Sequence, residues 1–137
     1  LNLILGSTNG YLTAVLSLMA ETVIVVEEDE KYINFSETTI KESNLNNVIY
    51  INKTLSNGCL EHAPFDVIVI EGAIDRVPQK LLNQLENNGR LIVFLSENSL
   101  CYAKMIVRKN KMFQSEYLFP CSMPILNSFK QKNIFSF

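Results

Sequence analysis

The apolar pattern of this chain changes period twice within its first 27 residues, an order that few folds accommodate. Residues 1–5, Leu-Asn-Leu-Ile-Leu, read as a short strand buried on both faces and broken only by Asn2. Gly6-Ser7-Thr8-Asn9-Gly10 is a run of turn formers. From Tyr11 the spacing becomes helical, and it predicts Leu12, Val15, Leu16 and Met19 on one inward stripe. Residues 22–27 return to a β-branched apolar run that ends on an acid, Glu27. Strand, glycine-bearing turn, helix and second strand make a βαβ unit, with parallel strands and a right-handed crossover.

The alternation continues downstream. Asp29 is placed to cap a second helix over residues 30–43, with Ile33, Phe35 and Ile40 as its inward anchors. Residues 48–51 form a third strand, and a loop over 52–64 leads to the clearest buried strand, 65–70. Pro78 suits the first turn of a third helix carrying Leu81, Leu82 and Leu85, with Asn88-Gly89 as its stop. Residues 90–95 read as a fifth strand. Residues 102–107, a Lys109-Asn110-Lys111 turn and residues 112–119 read as a hairpin, with an irregular tail from Pro120. The expected fold class is α/β: one domain over residues 1–137, with a mostly parallel sheet, helices on both faces and a C-terminal β-hairpin.

Composition removes several function classes. With 12 basic and 14 acidic residues the net charge is −2, which offers no footprint for nucleic acid. The longest apolar stretches fall well short of a bilayer span, and no signal-peptide pattern is present, so no membrane partner is expected. The chain opens on a strand without a methionine, which reads as a fragment or a processed chain. Its three cysteines, Cys59, Cys101 and Cys121, form no C-x-x-C pair. Neither a disulfide framework nor a metal site is expected, and a cytoplasmic setting is the default. His62, the single histidine, reads as an exposed loop residue. The Asn-Gly pairs at 9–10, 57–58 and 88–89 read as turns, and Phe129, Phe135 and Phe137 as anchors that dock the tail on the core.

In doubly wound sheets, ligands bind beyond the carboxyl ends of the strands. Those ends are residues 6–11, Glu27, residues 52–55 and residues 71–73. Glycine in the first turn lets backbone approach a ligand, and the following helix adds a partial positive charge. An acid closing the second strand accepts hydrogen bonds from both hydroxyls of a ribose. The combination points to a nucleoside cofactor, against the plainer readings of a tight turn and a solvated Glu27-Glu28-Asp29 helix start. Glu71 reads equally as a solvated strand-end acid or a site residue. The dehydrogenase signature G-x-G-x-x-G is absent, because Thr8 and Tyr11 stand where its second and third glycines belong. With the terminal hairpin, this favours a methyltransferase over a nicotinamide-dependent oxidoreductase.

Three blocks carry a specific resemblance: Gly-Ser-Thr-Asn-Gly-Tyr-Leu-Thr-Ala-Val-Leu (6–16), Ala-Pro-Phe-Asp-Val-Ile-Val-Ile (63–70) and Val-Pro-Gln-Lys-Leu-Leu-Asn-Gln-Leu-Glu-Asn-Asn-Gly-Arg-Leu-Ile-Val (77–93). They resemble the protein-L-isoaspartate O-methyltransferases, in a divergent bacterial form, and the likeness covers nearly the whole chain. The resemblance implies a Rossmann-like S-adenosylmethionine methyltransferase fold. It also implies a repair reaction in which S-adenosyl-L-methionine methylates isoaspartyl carboxylates, with isoaspartyl-containing proteins or peptides as partners. The implied cofactor positions are Gly6, Ser7, Thr8, Asn9, Gly10, Tyr11, Glu27, Glu28, Thr54, Leu55 and Glu71.

The family's hydroxyl-bearing substrate motif precedes the first glycine turn, so no catalytic residue is assigned in this sequence. Ile4 stands where the family places an acid, Thr8 where it places a middle glycine, and Thr54-Leu55 where it places Asp-Gly. Loss of that carboxylate removes an adenine acceptor, at a cost of about 1–3 kcal/mol, or roughly 5- to 150-fold in affinity. Glu71 adds negative charge near a site for an acidic substrate. The alternative is a non-catalytic descendant kept as a binding or scaffold module. The oligomeric state stays open.

Overall fold

The computed structural model describes residues 1–98 and 100–129. Its strands are β1 (Asn2–Leu5), β2 (Val23–Glu27), β3 (Val48–Asn52), β4 (Phe65–Ile74), β5 (Leu85–Glu97), β6 (Leu100–Lys109) and β7 (Met112–Pro120). The helices are α1 (Tyr11–Met19), α2 (Glu30–Glu42) and α3 (Gln79–Leu82), joined by single 3-10 turns at Leu55–Asn57, Leu60–His62 and Asn127–Phe129. All seven strands form one sheet in the order β3-β2-β1-β4-β5-β6-β7. The pairings from β3 through β5 are parallel, and β6 and β7 add an antiparallel hairpin. Asn110, with φ 58°, turns that hairpin. This is the α/β architecture of S-adenosylmethionine methyltransferases, as the sequence predicts.

Alternation along the strands divides the core in two. Ile4, Val23 and Val25 face α1, where Leu16 and Ala20 close over them with Val48 and Tyr50. On the opposite face Leu3, Leu5, Ile24, Val26, Ile68, Ile70, Leu91 and Val93 pack beneath Leu81 of α3 and Phe129 of the tail. Phe129 therefore docks on the core, and Phe135 and Phe137 lie outside the described residues. No helix among the described residues is long and apolar enough to cross a membrane.

Four expectations need correction. In α1 the buried residues are Thr13 and Ser17, whereas Val15 is at the margin of exposure and Met19 is 77% exposed. At the end of this face Asn47 Nδ2 donates to the carbonyls of Ser17 and Ala20 at 2.7 and 2.9 Å, tying α1 to the approach of β3. In α2 the inward positions are Ser36 and Ile40, and Phe35 is 60% exposed. Helical geometry puts position 36, not 35, in line with 40.

The third helix ends at Leu82 rather than running on to Asn88-Gly89. Leu85 is instead the first residue of β5, fully buried opposite Phe65, whose N–H donates to the Gln84 carbonyl at 2.8 Å. Burial of Leu85 in the sheet outweighs another helical turn. Asn88, at φ 66°, then sits in the irregular stretch that brings Arg90 back into register with Val67. Finally, β4 extends to Ile74 through a register shift between Val69 and Ala73. Glu71 and Gly72 thus lie within the strand instead of beyond it.

Candidate functional site

The carboxyl ends of β1, β2 and β4 meet at the glycine turn. Gly6 adopts φ 93°, and its N–H donates to the Val26 carbonyl at 2.9 Å, binding the turn to β2. Gly10, at φ 81°, is the N-cap of α1, and a Cβ there would lie 2.9 Å from Ser36 Oγ and 3.0 Å from Ser36 Cα. Only glycine meets both conditions, a left-handed backbone and close approach to α2. Asn9 Oδ1 accepts the Tyr11 N–H at 3.0 Å, and the Asn9 carbonyl accepts from Thr39 Oγ1 at 2.9 Å.

Glu27 lies at the centre, 6% exposed. Its carboxylate accepts backbone N–H groups from Ser7 at 2.6 Å, Glu28 at 2.7 Å and Asp29 at 3.0 Å. These charge-assisted bonds hold the glycine turn and the start of α2 to one side chain. A carboxylate has about four acceptor sites, so capacity remains for a ligand hydroxyl. Beside it, Ser7 Oγ is buried and makes no hydrogen bond among the described residues. Such an orphaned hydroxyl at a turn suits a polar ligand group.

Two further acids bridge elements. Glu28 accepts the Leu55 N–H and the Ser128 hydroxyl, both at 3.0 Å, and so joins β2 to the tail. Glu71 accepts the Thr8 hydroxyl at 3.0 Å. Burial raises the pKa of Glu71 above the ordinary carboxylate value, and Glu27 adds to the rise, while the Thr8 hydroxyl and N–H oppose it.

Around these groups lies a cleft of about 410 Å³. Of the residues expected from sequence, Gly6, Ser7, Thr8, Glu27, Glu28, Leu55 and Glu71 line it. Asn9, Gly10, Tyr11 and Thr54 do not line it; Tyr11 is 71% exposed. Sequence reasoning missed Asp29, Tyr32 and the segment from Pro124 to Ser128. That segment is fastened to β4 by Ala73 N–H donating to the Pro124 carbonyl at 2.7 Å and Leu126 N–H donating to the Ala73 carbonyl at 2.9 Å. A local trace of this docking is Gly72, where a Cβ would lie 2.4 Å from Leu126 Cγ. Among the described residues, four acids and no lysine or arginine line the cleft, a field that disfavours phosphate and favours a cationic or neutral ligand.

The family model, the curated relatives and two solved structures give one family. The family model for protein-L-isoaspartate(D-aspartate) O-methyltransferase matches residues 2–125. A protein-L-isoaspartate O-methyltransferase of Pseudomonas paraeruginosa is 32% identical over 124 residues, which is 90% of this chain and 59% of the relative. A solved protein-L-isoaspartate O-methyltransferase superposes with TM-score 0.83 at 25% identity, covering 92% of this chain and 41% of its own. A Plasmodium falciparum chain described as a beta-aspartate methyltransferase, in complex with S-adenosyl-L-homocysteine, gives TM-score 0.79 at 26% identity, covering 93% and 65% respectively. The chain thus spans about half the length of its curated relatives, 43% and 59% in two of them.

Proposed function

This chain belongs to the protein-L-isoaspartate(D-aspartate) O-methyltransferase family, and on that premise we propose that it is the S-adenosyl-L-methionine-binding part of an enzyme that methylates isoaspartyl carboxylates in damaged proteins. The observation that carries the reading is the acid-lined cleft, with the Glu27 carboxylate held against the glycine turn and beside it a Ser7 hydroxyl that has no partner among the described residues.

The residues present fit the cofactor. Glu27 has acceptor capacity for ribose hydroxyls, Gly6 and Ser7 offer backbone at close approach, and Leu55 provides an apolar wall. When bound, the cofactor supplies a methyl group on a cationic sulfonium. Glu27, Glu28, Asp29 and Glu71 line the cleft, and the field of the described residues would favour that cation over a phosphate-bearing dinucleotide. An isoaspartyl carboxylate is already ionised near neutral pH, so positioning rather than a strong base governs its reaction.

A second reading, a binding module without turnover, draws on one observation: the Thr8–Glu71 bond spans the cleft beside the turn. Calorimetric titration with S-adenosyl-L-homocysteine tests cofactor binding. Micromolar affinity is the expected result, and nothing tighter than millimolar overturns the reading. A radiolabelled methyl-transfer assay on an isoaspartyl peptide separates the two: binding without transfer favours the module.

A further inference from the structure

Cys101 and Cys121 lie 20 positions apart in sequence with no motif to relate them, yet the hairpin brings them face to face. β6 and β7 pair through Tyr102 and Pro120, and the next step of that antiparallel register is Cys101 against Cys121. The Cys121 N–H donates to the Cys101 carbonyl at 2.9 Å, and the two Sγ atoms are 3.1 Å apart. Facing residues in such a pair have Cα atoms about 4.5–5.5 Å apart, inside the roughly 4.4–6.8 Å that a disulfide spans. Both residues are half-buried and line an open cleft of about 370 Å³ together with Ala73, Met123 and Ile125, so a small reagent reaches them. Cys59, by contrast, is fully buried in the core.

The position of the pair matters as much as its geometry. Cys121 begins the segment that crosses the carboxyl end of β4, is tied to Ala73 on both sides of Ile125, and ends where Ser128 meets Glu28 over the acid-lined cleft. A bond between the two sulfurs fastens the near end of this strap to β6.

We propose that Cys101 and Cys121 form a reversible disulfide, made by exchange with a small-molecule disulfide, that pins the 121–129 strap across the cleft. In the first step one cysteine thiolate attacks a sulfur of the small disulfide and expels one of its thiolates. In the second, the other cysteine thiolate attacks the protein sulfur of the mixed disulfide and expels the remaining small thiolate. The two cysteine sulfurs lose two electrons, the small disulfide gains them, and the two cysteine protons end on the released thiols. The Cys121 thiol is pushed up to about 11 by lost solvation and by its hydrogen bond to Cys101. Exchange therefore accelerates with pH, as thiolate-limited chemistry requires.

The test needs no cofactor, so its outcome is separate from that of the proposed function. The reduced chain is equilibrated with glutathione disulfide and glutathione at several ratios, trapped with N-ethylmaleimide and analysed by intact and peptide mass. The expected result is joint loss of two of the three alkylatable thiols, a Cys101–Cys121 linked peptide, and reversal by dithiothreitol. Cys121→Ser should instead stop at a glutathione adduct on Cys101. Amide exchange at Ala73 and Leu126 should slow severalfold in the bridged form. Persistent glutathione adducts on the unsubstituted chain, a bridge to Cys59, retention of all thiols in excess glutathione disulfide, or unchanged amide exchange in the bridged form each overturns the proposal.

Discussion

Replacing Glu27 with Gln isolates the interaction that holds the site together. Gln has the same shape, but one carboxylate oxygen becomes an amide that only donates. In the better of its two orientations the remaining oxygen serves Glu28 and Asp29, and the Ser7 N–H, now 2.6 Å from a carboxylate oxygen, is left buried opposite another donor. An orphaned buried donor costs about 1–3 kcal/mol, and each of the two retained bonds weakens by about 1 kcal/mol on losing its charge. The sum is about 3–5 kcal/mol. That is a large part of the roughly 5–15 kcal/mol by which such domains are stable. At a urea slope near 2 kcal/mol/M, the unfolding midpoint falls by about 1.5–2.5 M. The assay is equilibrium urea unfolding followed by far-ultraviolet circular dichroism, with an unchanged slope as the control for two-state behaviour. A drop under about 0.5 M means that the carboxylate does not anchor the turn, and the case for Glu27 as the hub of the site fails with it.

Other substitutions probe the remaining supports. Gly10→Ala combines a left-handed backbone with contact against the Ser36 main chain; strain of about 1–2 kcal/mol and overpacking of about 1–3 kcal/mol should appear as a large fall in urea midpoint, and a neutral outcome contradicts the packing. Gln84→Ala removes the acceptor of the Cys59 N–H at 2.9 Å and the donor to the Asn57 carbonyl at 3.0 Å, so stability should drop by about 2–4 kcal/mol, measured by the same unfolding. For Glu71 the folded pKa lies above its ordinary value of 4.5. Its ionisation therefore costs stability from that pH upward, in full once the pH exceeds the folded value, and costs nothing below it. Glu71→Gln should accordingly raise the melting temperature at pH 7 and lose that advantage near pH 4; a lower melting temperature at pH 7 contradicts the assignment.

Fold class was legible in the order of residues because it follows from local chemistry. Continuous apolar runs at 3–5, 23–26 and 67–70 read as strands covered on both sides, and the glycine turn between the first strand and its helix has few conformations open to it. The family wording in residues 6–16, 63–70 and 77–93 rests on the same local signals. Helix faces were less legible. A pattern of large apolar residues predicted Leu16 of α1 against the core but missed that Thr13 and Ser17 are buried while Val15 and Met19 are exposed, a choice made by neighbours distant in sequence. The third helix failed similarly: opposite Phe65, Leu85 gains more from the sheet than from another turn.

The candidate site divides along the same line. Gly6, Ser7, Thr8 and Glu27 belong to consecutive strand ends, so their meeting follows from chain order alone. Pro124 to Ser128 comes from some 50 residues beyond Ala73 in the chain, and its place over the cleft depends on hydrogen bonds across that separation and on Leu126 filling the space beside Gly72. The Cys101–Cys121 contact has the same origin, a register of the hairpin that no spacing rule expresses. Local pattern settles which elements form and in what sequence they are wound. Long-range packing settles which face each element buries and which distant segment closes the cleft, because those choices depend on the free energy of contacts between residues that sequence order leaves far apart.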